Sequence, residues 1–243
     1  MTNDRDLPWK TEKEFYDMHA EKFFQKDATY HVGGVGKSGS ESIEHIVRKL
    51  RLKPDSKVLD LGCGSGFLVN RISEVCSAVG ISTSEECIRL AKKNYPDAIF
   101  LQADMESFQC QAITHCVAIE SMGYANIERV FRRVHQNLVV GGVFFIKELC
   151  LLHNLDERQM ENVRYWEDYW KYSSYDVLGW INSAYRNGFD LIGFESISHS
   201  SSLNVSIFME TLKNNAAPQV WPYEDVLVHT LSEFTFKKRK QPG

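Results

Sequence analysis

Little in this sequence marks a secreted, membrane-spanning or nucleic-acid-coating protein. Lys and Arg number 28 against 32 Asp and Glu, a net charge of -4, so no positive surplus draws the chain toward a phosphate backbone. The one basic cluster, Lys237-Lys238-Arg239-Lys240, reads as a solvated tail rather than a binding arm. No apolar run reaches the length of a membrane span, and the polar, acidic start Met1–Asp6 does not read as a secretory signal. The six cysteines (Cys63, Cys76, Cys87, Cys110, Cys116 and Cys150) form no CxxC pair and no metal-like rhythm with histidine. They read as reduced, partly buried thiols, and the expectation is a cytoplasmic protein with no metal site of its own. No internal repeat is visible. What remains, 243 residues with 43% apolar and 25% charged side chains, is ordinary for one globular domain.

The stretch that organises the chain is Val58-Leu59-Asp60-Leu61-Gly62-Cys63-Gly64-Ser65-Gly66, followed by the helix-like Phe67-Leu68-Val69. Strand, glycine turn and helix in that order let backbone approach a nucleotide-like ligand, because a Cβ would block both the turn and the ligand. The spacing is not the dinucleotide fingerprint, since the third glycine is misplaced for it.

On either side the chain alternates. An amphipathic helix is expected over 11–26, then a glycine-rich loop with Tyr30, His31 and Lys37, then a second helix through Ile43, Ile46 and Leu50. Beyond the glycine turn come strands at 78–81, 98–101, 113–119 and 143–146, with helices near 67–76, 84–91 and 126–138 between them. That alternation predicts a doubly wound parallel α/β sheet. Phe189–Ile197 and Leu203–Leu212 read as an antiparallel hairpin that finishes it, with a helix-like stretch from Trp221 to Phe236 that either covers the pocket or pairs subunits into a homo-oligomer. The segment before the hairpin is rich in aromatics, among them Tyr165, Trp166, Tyr169 and Trp170. Helical spacing suits them to core packing; their place at the carboxyl edge suits a substrate lid. The expected division is a cap over 1–53, a cofactor core over 54–149, the aromatic segment over 150–188 and the closing strands with a C-terminal helix over 189–243.

The form D-x-G-x-G-x-G resembles the first motif of class I S-adenosylmethionine methyltransferases, and the resemblance runs from about residue 40 to 212. It implies a Rossmann-like, seven-stranded sheet. It also implies S-adenosylmethionine, with S-adenosylhomocysteine as product, held by Asp60, Gly62, Cys63, Gly64 and Gly66. Many such enzymes carry an acid for the ribose hydroxyls after the second strand, but here Ser82-Thr83-Ser84-Glu85-Glu86-Cys87 stands in its place. This looks like the G-x-T-L-S-x-x-Q form of cyclopropane-fatty-acid synthases and sterol, tocopherol and prenyl diphosphate C-methyltransferases. Cys87 replaces the usual glutamine, which leaves Ser82, Thr83 or a water for that contact. Gln102-Ala103-Asp104-Met105 matches the motif whose Asp meets the adenine amino group while the next residue stacks on the ring.

Strand four ends in Ala118-Ile119-Glu120-Ser121-Met122-Gly123-Tyr124, similar to the sterol and geranyl diphosphate C-methyltransferases and unlike the N/D-P-P-Y/F of nucleic-acid and protein amino-methylating relatives. On that resemblance Glu120 and Tyr124 are the catalytic candidates. Glu120 stabilises a carbocation and takes its proton, or positions substrate, or serves structure alone. The expected acceptor is a small molecule, foremost the carbon of an isoprenoid such as a prenyl diphosphate. The alternative is the oxygen or nitrogen of a small metabolite, and nucleic acid and membrane are not expected partners. Tyr30, His31, Arg164, Tyr165, Trp166 and Tyr169 are the substrate-binding candidates, with Mg²⁺ entering only through a substrate diphosphate. His31 and His153 are the histidines placed near the pocket.

Overall fold

The computed structural model describes residues 9–23, 39–196 and 229–240. Strands β1 (Lys57–Leu61), β2 (Ser77–Ser82), β3 (Ile99–Gln102), β4 (Ile113–Ile119) and β5 (Leu138–Leu151) alternate with helices α3 (Phe67–Ser73), α4 (Glu85–Asn94) and α5 (Ile127–Asn137). Helices α1 (Glu12–Phe23) and α2 (Gly39–Leu50) precede them. Helix α6 (Glu157–Trp170), the two-residue strand β6 (Tyr175–Asp176), helix α7 (Val177–Arg186) and strands β7 (Phe189–Ser196) and β8 (His229–Lys238) follow.

The strands lie in the order β3-β2-β1-β4-β5-β8-β7, with β6 paired to β5 off that path. The first five pair in parallel, whereas β8 runs antiparallel to both β5 and β7. This is the expected Rossmann-like sheet, with the short β6 as an eighth strand. Both faces are covered, so side chains of both parities are apolar. Leu59, Leu61, Phe144 and Ile146 pack on one face against Val130, Phe131 and Trp180, and Val58 and Phe145 pack on the other against Ile46, Val69 and Ile88. Among the described residues no helix is long and apolar enough to cross a membrane.

The C-terminal expectations need correction. The described part of the stretch read as a helix to Phe236, from His229 on, is strand β8, and it is β8 that pairs with β7. Leu203–Leu212, the expected hairpin partner, lies outside the described residues, as do Trp221-Pro222-Tyr223. The physical reason is a period of two: Phe234 and Phe236 point into the core while Thr235 and Lys237 point away. The basic cluster is only in part a solvated tail: Lys237 and Lys240 are exposed, but Lys238 and Arg239 are engaged. Lys238 donates to the carbonyls of His135 and Leu138, and the Arg239 guanidinium lies 4.3 Å above the Tyr185 ring. Helix α6 begins with a capping box between Asp156 and Gln159. Its Trp166, Tyr169 and Trp170 share one face and pack with Trp9, Phe15 and Tyr16 above the carboxyl edge of the sheet.

The glycine turn is demanded first by packing. Gly66 has φ 84, and a Cβ there would lie 2.5 Å from Phe100 Cζ and 3.1 Å from Ala91 Cβ. Left-handed backbone and overpacking together predict that Gly66→Ala lowers the unfolding free energy by about 2–4 kcal/mol in urea denaturation. A variant as stable as the parent would refute this account of the turn.

Candidate functional site

The sheet order reverses between β1 and β4, and in open α/β sheets ligands enter at such a switch point. A cleft with about 570 Å³ of empty space, part of it open to solvent, lies there at the carboxyl ends of β1, β2, β3 and β4. Gly62 and Gly64 form its floor, Ser82, Thr83 and Cys87 one wall, and Ala103 and Met105 its flank. Ile119, Glu120, Ser121 and Tyr124 form the opposite wall, and Glu12 and Tyr16 of α1 close it from above.

The floor is tied to both neighbouring strands. Gly62 N and Cys63 N both donate to Ile81 O, at 2.9 and 3.0 Å, and Ser121 Oγ donates to Leu61 O at 2.7 Å. A Cβ on Gly62, which has φ 79, would sit 2.4 Å from Ser121 Cβ, so glycine lets the β1 and β4 turns pass. Asp60 is buried behind this floor, and burial alone pushes its carboxyl up to about 7.

The β4 wall is braced from beneath. Glu120 has φ 49, a left-handed backbone unusual for a side chain of its size, and its N–H donates to Lys147 O at 2.8 Å. The next two amides, Ser121 N and Met122 N, donate to Glu148 Oε1 at 2.5 and 2.7 Å. Tyr172 O–H donates to Glu148 Oε2 at 2.6 Å. Burial pushes the Glu148 carboxyl up to about 7, and these hydrogen bonds pull in the opposite direction. Gly123 is required here because a Cβ would enter the Tyr172 ring.

Besides its apolar packing, helix α1 is tied to the cleft walls by polar contacts at three of its residues. Asp17 accepts from Ser84 Oγ at 2.6 Å and Glu86 N at 3.3 Å, at the N-terminus of α4, where a carboxylate complements the helix dipole. Tyr16 and Tyr124 share a hydrogen bond of 2.9 Å between hydroxyls. Thr83 Oγ1 donates toward Glu12, 3.2 and 3.4 Å from its two oxygens. Burial holds the Glu12 carboxyl above its ordinary value and pushes the Cys87 thiol up to about 12.

Of the residues expected from the sequence, Gly62, Gly64, Ser82, Thr83, Met105, Glu120 and Tyr124 meet in the cleft, with Cys87. Asp60, Cys63, Gly66 and Ser84 shape the turns behind its walls; Ser84 is the N-cap of α4 and accepts from Cys87 N. Asp104 is exposed beside the cleft, and its carboxylate accepts from Glu106 N at 2.8 Å and Ser107 Oγ at 3.4 Å, capping its own turn. Of the two readings of the aromatic segment, core packing is the one seen for Trp166 and Tyr169; Arg164, Tyr165, Trp166 and Tyr169 are not among the residues lining this cleft. Arg164 is exposed, Trp166 and Tyr169 are buried against α1, and Tyr165 stacks on Tyr169 with centroids 6.3 Å apart. His153 is exposed, 3.8 Å from Asp176, and away from the cleft wall. Tyr30, His31 and Lys37 lie outside the described residues. Among the described residues, His45, Glu195 and Glu233 have metal-ligand spacing, but Lys49 already pairs with both carboxylates.

The sequence reading missed Glu12, Tyr16 and Glu148. Glu148 did carry a signal, as an acid that with Lys147 interrupts the apolar run Phe144-Phe145-Ile146-Lys147-Glu148-Leu149-Cys150. Nothing local marks Glu12, which reaches the cleft only because α1 folds across it.

Comparison with known proteins agrees with this fold. A family described as a methyltransferase domain matches residues 52–216. The sterol 24-C-methyltransferase of Debaryomyces hansenii is 27% identical over 148 residues, 55% of this chain and 38% of its own length. The cyclopropane-fatty-acyl-phospholipid synthase of Escherichia coli K12 is 28% identical over 174 residues, 65% of this chain and 44% of its own length. The chain therefore spans less than half the length of these two relatives. The crystal structure of geranyl diphosphate C-methyltransferase from Streptomyces coelicolor A3(2), in complex with Mg²⁺, geranyl diphosphate and S-adenosyl-L-homocysteine, superposes with a TM-score of 0.69. That match is 12% identical and covers 83% of this chain and 79% of the other, a likeness of fold.

The buried brace gives a pH test. Glu148 titrates near 7 when folded against an ordinary 4.5, so between those values the folded protein keeps a proton the unfolded chain has lost. Its contribution to stability is full below the lower value and is lost as pH rises through the upper one. Glu148→Gln abolishes that titration while keeping an acceptor for the Ser121 and Met122 amides. From pH 5 to pH 8 the parent is expected to lose about 1–3 kcal/mol more unfolding free energy than the variant. Parallel urea-unfolding profiles would show that the carboxyl is not shifted.

Proposed function

This chain belongs to the methyltransferase domain family, and we propose that it transfers a methyl group from S-adenosylmethionine to an alkene carbon of a small isoprenoid, such as a prenyl diphosphate. The observation that carries the reading is Glu120, held in a left-handed conformation at the end of β4 and set in the wall of a largely apolar cleft. Strained backbone persists where its surroundings impose it, and such positions cluster at functional sites.

The residues fit the cofactor. Gly62 and Gly64 send no side chain into the cleft, Ala103 and Met105 give apolar flanks for a flat ring, and Ser82, Thr83 and Glu12 supply polar groups. When bound, S-adenosylmethionine would supply a methyl group made electrophilic by the sulfonium, its methyl carbon–sulfur bond breaking to leave neutral S-adenosylhomocysteine. The protein's part is to govern the acceptor. As the alkene's π electrons form the new carbon–carbon bond, positive charge is left on an adjacent acceptor carbon. The Glu120 carboxylate stabilises that charge and takes the proton whose loss restores the double bond. The rings of Tyr16 and Tyr124 offer negative π faces to the same cation, and Ile81, Ile119 and Met105 keep water away from it. For a diphosphate acceptor, Mg²⁺ would arrive with the substrate as its counter-ion.

Incubation with labelled S-adenosylmethionine and a panel of prenyl diphosphates, sterols, fatty acids and phenols, read by mass and NMR, identifies the acceptor atom. With that acceptor, Glu120→Gln is expected to cut turnover by about 10²–10⁴-fold, the range for a lost general base, with S-adenosylhomocysteine affinity little changed. Near-normal turnover, or a new methyl on oxygen or nitrogen, would overturn the carbocation reading.

A further inference from the structure

A ribose presents two adjacent hydroxyl donors, and a carboxylate, with two oxygens and about four acceptor sites, is their natural partner. The β2 side of the cleft has no acid of its own in its wall. Ser82 Oγ accepts from Ser84 N at 3.2 Å, and Ser84 Oγ is taken by Asp17 and by Cys87 N. Cys87 stays a neutral thiol, a weak acceptor at best. Among the residues lining the cleft only Glu12 and Glu120 carry carboxylates, and Glu120 stands on the opposite wall.

Glu12 comes to the β2 wall from outside the sheet. Its distances to Thr83 Oγ1, 3.2 and 3.4 Å, are long for an O–H···O bond, so one hydroxyl spans both oxygens and leaves acceptor capacity unused. Burial and the neighbouring charges of Asp17 and Asp104 disfavour its ionised form. Two further donors would relieve that imbalance. Its position is not free to drift, because Tyr16, one turn later on the same face, is tied to Tyr124, and Asp17 to the start of α4.

We propose that Glu12 is the ribose-binding residue of this protein, accepting hydrogen bonds from the two ribose hydroxyls of the cofactor and so making α1 part of the cofactor site. The assignment rests on the S-adenosylmethionine reading above and supplies a contact that β2 lacks. It makes docking of α1 and binding of the cofactor mutually reinforcing, since each provides a partner for the same carboxylate.

The test is calorimetric binding of S-adenosylhomocysteine and its 2′-deoxy and 3′-deoxy analogues to the full chain and to Glu12→Gln. The parent is expected to bind S-adenosylhomocysteine, and Glu12→Gln to bind it about 10- to 100-fold more weakly, as for a lost charged hydrogen bond. Removing a hydroxyl should weaken binding to the parent by a similar factor and to Glu12→Gln far less, the non-additivity of a direct contact. A parent that binds no S-adenosylhomocysteine overturns the methyl-donor reading and this assignment with it. A parent that binds it while Glu12→Gln matches it, or keeps the full deoxy penalty, overturns the Glu12 assignment alone. Should Glu12→Gln not fold, the analogues decide on the parent: equal affinity for all three ligands removes the ribose contact.

Discussion

The cleft depends on one buried carboxylate. Glu148 sits on β5 with no exposure to solvent, and a lone charge there would cost several kcal/mol. It is tolerated because two backbone amides of the β4 turn and one tyrosine hydroxyl converge on it. The same bonds fix the turn in which Glu120 has its left-handed backbone. They also pin Tyr172, just past α6, against Gly123, so the segment after α6 and the β4 wall share one anchor. From there a line of rings runs upward: Tyr172 meets Tyr124 edge-on at 5.1 Å, and Tyr124 meets Tyr16 at 5.6 Å. Sheet, wall and roof are thereby one mechanical unit.

The roof is held mainly by apolar contact. Trp9, Phe15 and Tyr16 interlock with Trp166, Tyr169 and Trp170, and Trp9 Nε1 donates to Tyr169 O at 3.1 Å. Large aromatic side chains bury more area than any other type, and their edge-to-face pairs add specificity. The ion pair of Arg89 with Glu21 lies at the surface and adds little. Aromatic residues of α6 thus shape the cleft at one remove, by deciding where α1 lies.

The parts legible in the sequence are those whose cause is local. Alternating apolar runs gave the parallel strands, the glycine turn located the floor of the cleft, and the acid after Ile119 lies in its wall. The parts not legible arise from tertiary placement. Strand β8 was read as a helix because the apolar residues before Phe234 fit both periods, and only its two antiparallel neighbours settle the matter. Trp166 and Tyr169 have the composition of a binding wall, yet their helix turns them into α1. Glu12 belongs to the cleft across 71 residues of sequence, through Thr83, and no spacing rule reaches that far.

The position of β8 between β5 and β7 has a consequence for how the chain is made. Strands β1 to β5 can pair as they emerge, each beside a neighbour of nearby sequence number, but β5 must wait for residues near 230 to fill its other edge. Non-local pairing of this kind is slow, and a strand edge left open during synthesis invites pairing with other chains. Until β8 arrives, that edge exposes the very strand that carries Glu148. The last described strand is therefore the one that covers this edge of β5 and joins β7 to the parallel strands.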